Sequence, residues 1–163
     1  MRVKTQTAVC SLALSLLLVL PGVALGQQRA GELVGEINAA LAANPTPQGA
    51  YRIDIDSSGR LVAEQRDATG VIATWEIYME DVESVTQSDA GHVYLNCSGD
   101  VGRCARQVCN GVVENFTGCV RGQGAARRSS YSDALELRYA YDTRALRTIA
   151  AAFDGLMALG LGM

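Results

Sequence analysis

The chain has 163 residues, 48% of them hydrophobic, with 14 basic and 17 acidic side chains and a formal net charge of −3. That balance argues against a general nucleic-acid binder. Lys4 is the single lysine, so the chain beyond it offers neither a Schiff-base amine nor a P-loop lysine.

Residues 1–26 have the three-part layout of a secretory signal. Arg2 and Lys4 form a basic start, residues 8–20 an apolar run, and Ala24-Leu25-Gly26 a small-residue cleavage site ahead of Gln27. The run is too short to anchor the chain in a membrane. Cys10 precedes most of it and follows Thr7-Ala8-Val9, so it leaves with the signal and is not a lipid-modification site. The expected destination is the periplasm or the exterior. No transmembrane segment is expected after cleavage.

Residues 31–43 carry Leu33, Val34, Ile37, Ala40 and Leu41 at helical spacing, and Asn44-Pro45-Thr46-Pro47-Gln48-Gly49 ends that helix. Residues 27–49 are thus a helix and linker, and residues 50–163 one β-rich domain. From residue 50 the period is two. Tyr51, Ile53 and Ile55 alternate with Arg52, Asp54 and Asp56 in a first strand. Strands follow over 60–66, 71–79, 81–86, 92–98, 111–121 and 132–141, separated by Gly-, Ser- and Asp-rich turns. Leu146, Ile149, Phe153, Leu156, Met157 and Gly160 form one stripe of a final helix, with Asp142 or Thr143 as N-cap.

The fold class is therefore α+β: an N-terminal helix, about seven mostly antiparallel strands in a bent sheet or small barrel, and a C-terminal amphipathic helix. The hairpins over 51–79, the short Glu80-Asp81-Val82-Glu83-Ser84-Val85 element before His92 and the closing helix together resemble the pleckstrin-homology-like superfold. The resemblance implies a barrel plugged at one end by the last helix, and peptide or lipid-headgroup binding. The N-terminal helix departs from it. The first hairpin turn, Asp56-Ser57-Ser58-Gly59, lacks the basic residues that hold inositol phosphates, so phosphoinositides are not expected ligands.

Cys97, Cys104, Cys109 and Cys119 are spaced C-x6-C-x4-C-x9-C. An even count in an exported chain predicts two disulfides. A Cys97–Cys119 bridge enclosing a Cys104–Cys109 bridge is the preferred pairing. A zinc site would use C-x2-C pairs, which are absent.

Asp54, Asp56 and Ser58 match the opening of a calcium loop, D-x-D-x-S-G, but position twelve is Gln65 rather than glutamate, and a hairpin turn explains the same residues. His92, the one histidine, reads as a surface turn residue. The pairs Asp54/Asp56, Glu64/Asp67 and Glu80/Asp81/Glu83 read as a solvated sheet face, with glycosidase-type acid–base work as the competing role. Asn96 and Asn115 head Asn-x-Ser/Thr sequons. Arg103, Arg106, Arg121, Arg127 and Arg128 surround the cysteine segment and could grip an anionic partner.

The expected function is a small exported binding or accessory module with an unknown protein or anionic ligand, no cofactor and no catalysis. A hydrolase using sheet-face carboxylates, or an envelope protein docking through its last helix, are the alternatives.

Overall fold

The computed structural model describes residues 21–47, 49–100, 102–110, 112–114, 118–120, 128–139 and 142–161; for residues 21–24, 112–114, 118–120 and 128 it describes the backbone alone. Most of the expected signal, with Cys10, lies outside these residues, as do Asn115, Arg121 and Arg127.

Helix α1 spans Pro21–Ala43. It starts ten residues before the expected start at residue 31, because Gln28, Arg29 and Glu32 are good helix formers and Arg29 pairs with Glu32 at 2.8 Å. Ala30, Leu33, Val34, Ile37 and Leu41 are its buried face. The helix stops where Pro45 removes a backbone donor, and the Asn44 amide donates to the Ala40 carbonyl at 2.9 Å.

Strands β1 (Ala50–Ile55), β2 (Arg60–Asp67) and β3 (Gly70–Tyr78) form an antiparallel meander. Its buried positions alternate as expected, through Tyr51, Ile53, Leu61, Ala63, Trp75 and Ile77. A 3-10 turn, Met79–Asp81, leads to β4 (Val82–Ser88) and β5 (His92–Cys97).

β6 (Ala105–Cys109) lies in a stretch expected to be loop. Gln107, Val108 and Cys109 are buried in succession there, so the two-residue period that betrays a strand is missing. The single strand expected over 111–121 is instead two short ones, β7 (Val112–Glu114) and β8 (Gly118–Val120), paired as a separate ribbon. β9 (Arg128–Ser132) and β10 (Ala134–Arg138) precede helix α2, Thr143–Ala158.

The main sheet has the order β1-β2-β3-β6-β9 and the second sheet β10-β5-β4. Asp133 alone separates β9 from β10, and its carbonyl accepts from the Cys97 N–H at 2.8 Å. One bent segment therefore borders both sheets. Neither sheet closes into a barrel among the described residues; where one bent sheet or small barrel was expected, the strands form two separate sheets and a ribbon. α2 lies across β4, β5, the 3-10 turn and α1, with Ile149, Phe153 and Leu156 fully buried. Asp142 is its N-cap and accepts from the Ala145 N–H at 2.7 Å. No helix among the described residues is long and apolar enough to cross a membrane.

Candidate functional site

The bend at Asp133 opens a cleft between the two sheets. From the main sheet come Trp75 on β3 and Gln107 on β6, directly opposite one another in the strand register. From the second come Glu136 on β10 and Tyr94 on β5, also opposite partners. Asp133 stands at the rim, and the cleft encloses about 170 Å³.

Gln107 is only 8% exposed, and its Nε2 has no hydrogen-bond partner among the described residues. A buried donor left unmade costs about 1–3 kcal/mol, so a group that supplies an acceptor there is favoured.

Glu136 anchors the polar wall of the cleft. Its Oε1 lies 2.8 Å from His92 Nδ1 and 3.4 Å from the Tyr94 hydroxyl, while Arg138 donates to both carboxylate oxygens at 3.1 Å. The Tyr94 hydroxyl is also 3.0 Å from His92 Nδ1. Burial, then the Glu136 charge, raises the Tyr94 phenol above its ordinary pKa. On the main-sheet side Tyr51 packs on Trp75 with ring centroids 5.5 Å apart, and burial pushes its phenol up strongly. Both tyrosines are therefore neutral hydroxyls at ordinary pH, and the Glu136 charge is compensated by Arg138. The carboxylate of Asp133 has no ion pair among the described residues.

A larger hollow of about 520 Å³ lies between α1 and α2, but its floor is alanine (Ala39, Ala40, Ala43, Ala145). Of its polar groups, Asn44 bonds Ala40 and Asp142 caps α2, while Glu36, Arg144 and Thr148 also line it. No buried, unpartnered polar atom is found among its lining residues.

The residues singled out in the sequence are placed otherwise. The expected disulfide pairing is corrected: Cys97 is bridged to Cys104, with Cα atoms 5.6 Å apart. Cys97 ends β5 and Cys104 precedes β6, and the loop between them folds back through a Ser98–Gly102 hydrogen bond, bringing the two together. Cys109 is disulfide-bonded as well, and the Cys119 side chain lies outside the described ones.

Arg106 is held by Glu76 at 2.9 Å across β6 and β3, while Arg103 is exposed. The Arg128 side chain, like Arg121 and Arg127, lies outside the description. The calcium alternative at Asp54, Asp56 and Ser58 gives way to a hairpin turn. The Asp56 carboxylate accepts from Ser58 N and Oγ and from Arg60 N and Nε, which sets a cation of the protein's own where a metal would bind. Among the described residues no group of three or more His, Cys, Asp or Glu side chains is arranged to hold a metal.

His92 is not a turn residue but the first residue of β5, paired with Glu136. Asn96 spends its amide on Ser84 and Thr86. Sequence reasoning missed Gln107, Tyr94 and Glu136; no local pattern marks them, since Gln107 follows the charged Arg106 between the cysteines. No family model, curated protein or solved structure matches this chain.

Proposed function

We propose that this chain is an exported, disulfide-stiffened binding module whose ligand seats in the cleft at the sheet bend. The observation that carries this reading is that Gln107, a residue lining that cleft, has a buried Nε2 with no hydrogen-bond partner among the described residues. Export is supported by the signal-like residues 1–26 and by the Cys97–Cys104 bridge. The anionic-partner reading of the arginines is less favoured, since Arg106 is committed to Glu76. Docking through α2 is likewise less favoured, because its apolar stripe is used inside the fold. The pleckstrin-homology-like likeness is kept as an architectural proposal, supported by the helix laid over antiparallel strands; α1 and the return of β6 to β3 depart from it.

A thermal-shift screen of small polar compounds tests the proposal. Hits are expected to stabilise the natural protein and leave Gln107→Met unmoved. Equal shifts in both would place binding elsewhere.

A second reading, hydrolysis, rests on the 2.8 Å His92–Glu136 contact, which resembles a carboxylate orienting an imidazole base. Turnover in an esterase or glycosidase screen that vanishes in His92→Gln would establish it; no turnover would dismiss it.

A further inference from the structure

We infer that the ligand of the cleft is a neutral, polyhydroxylated ring, a single sugar unit. This rests on the cleft being the binding site and adds the chemical class. Three properties of the walls select it.

The first is hydrogen-bond sense. Gln107 Nε2 is a buried donor and needs an acceptor oxygen. The Asp133 carboxylate, at the rim, is acceptor-only and needs a donor. Tyr94 can serve either way. A ligand that donates and accepts from neighbouring atoms satisfies both walls, and adjacent hydroxyl groups do this.

The second is charge. Among the charged side chains that line the cleft, Glu136 and Asp133, there is no cation. Arg138 pairs with Glu136 and compensates it, while the Asp133 carboxylate at the entrance has no ion pair among the described residues. An anion is repelled there. A cation with no acceptor oxygen would satisfy Asp133 but would leave Gln107 without its acceptor.

The third is shape. The indole of Trp75 gives the cleft one apolar wall, suited to the C–H face of a ring. At about 170 Å³ the space is well below the ~300–1,000 Å³ of sites for larger ligands, so it takes one ring rather than a chain of them.

The ring could arrive as a free monosaccharide or as the end unit of a glycan. The hydroxyl chemistry is the same, and the anomeric oxygen separates the two. The experiment is NMR titration of the full chain, following the Gln107 side-chain amide and the Trp75 indole N–H. Glucose, galactose, mannose and N-acetylglucosamine are added in turn, then tetramethylammonium and inorganic phosphate as cation and anion.

At least one neutral sugar is expected to move both signals saturably. Gln107→Met should weaken that binding about tenfold or more, the loss of one well-made hydrogen bond. Asp133→Asn, an exposed change that leaves the core alone, should weaken it too. A methyl glycoside that binds as well as the free sugar identifies the end of a glycan; loss on methylation identifies the free sugar.

Movement by tetramethylammonium or phosphate and by no sugar overturns the ligand class while leaving the cleft in place. Silence towards every probe also overturns the class. A Gln107→Met protein that is markedly less stable than the natural chain overturns the cleft reading itself, because the glutamine would then be a structural residue.

Discussion

Asn38 on α1 exchanges two hydrogen bonds with the backbone of Ile53 on β1. Its Nδ2 donates to the Ile53 carbonyl at 2.9 Å, and its Oδ1 accepts from the Ile53 N–H at 2.8 Å. A side-chain carboxamide thus takes the place of a neighbouring strand on the outer edge of the main sheet. Exposed edges invite pairing with other chains, and this contact covers one while fixing α1 to the sheet.

Asn38→Ala leaves both Ile53 groups without their partners. We expect a loss of about 2 kcal/mol, and a greater tendency to associate through β1. Urea denaturation, read as a lower midpoint at unchanged slope, checks the first; light scattering checks the second.

Gly49 has φ of +126°, and a Cβ there would run into the carbonyl oxygen of Arg66. Gly49→Ala should cost about 1–3 kcal/mol through strain and steric overlap. Gly99→Ala is the control, since a Cβ there meets nothing within 4 Å. It should be neutral or stabilising by up to about 1 kcal/mol.

The Cys97–Cys104 bridge closes a short loop, with a sequence separation of 7. Chain-entropy reasoning puts its contribution at about 2–3 kcal/mol, so Cys97→Ser with Cys104→Ser should lower the thermal midpoint without unfolding the chain. Peptide mapping without reductant is expected to return Cys97 joined to Cys104. Finding Cys97 joined to any other cysteine would contradict the fold around β5 and β6.

Asp56 is held at about 2, below its ordinary 3.8, chiefly by the Ser58 hydroxyl and then by the Ser58 and Arg60 donors. A carboxyl with a lowered folded-state pKa adds stability that is fully present above the unfolded value and lost as pH falls through the folded one. The stability gap between the natural chain and Ser58→Ala should therefore be steady near neutrality and shrink between pH 3.8 and about 2. A gap that stays constant to the acid limit would mean the turn does not depend on that carboxylate.

Gln107→Met exchanges a buried unpartnered amide for an apolar chain of similar length. In the absence of ligand it should leave stability unchanged or raise it by up to about 1 kcal/mol. Chemical denaturation of the purified variant decides the matter, a loss being the contrary result.

The parts of the fold that were legible are those whose burial repeats locally. The α1 stripe through Ile37 and Leu41, the alternation from Tyr51 to Ile77 and the Asp142 cap all show in short windows of sequence. β6 does not, because Ala105–Cys109 lacks alternation and two cysteines flank or end it. The site was illegible for a different reason. Trp75, Gln107 and Glu136 lie far apart along the chain, and only the β3–β6 and β5–β10 registers bring them together. The same register sets Arg106 opposite Glu76, so an arginine that looked available as one of a patch turns out to be half of a cross-strand pair.

The seam at Asp133 also governs how the chain can fold. Ser132 pairs with Ala105 in one sheet and Ala134 with Asn96 in the other, so the last strands to emerge in chain order are needed to complete both. Such pairings are distant in sequence and slow to form. Before residues 128–138 appear, the Cys97–Cys104 bridge can tie the end of β5 to the start of β6, but neither sheet has the strand that completes it. Limited proteolysis inside that segment should therefore collapse the whole domain at once, leaving no resistant half.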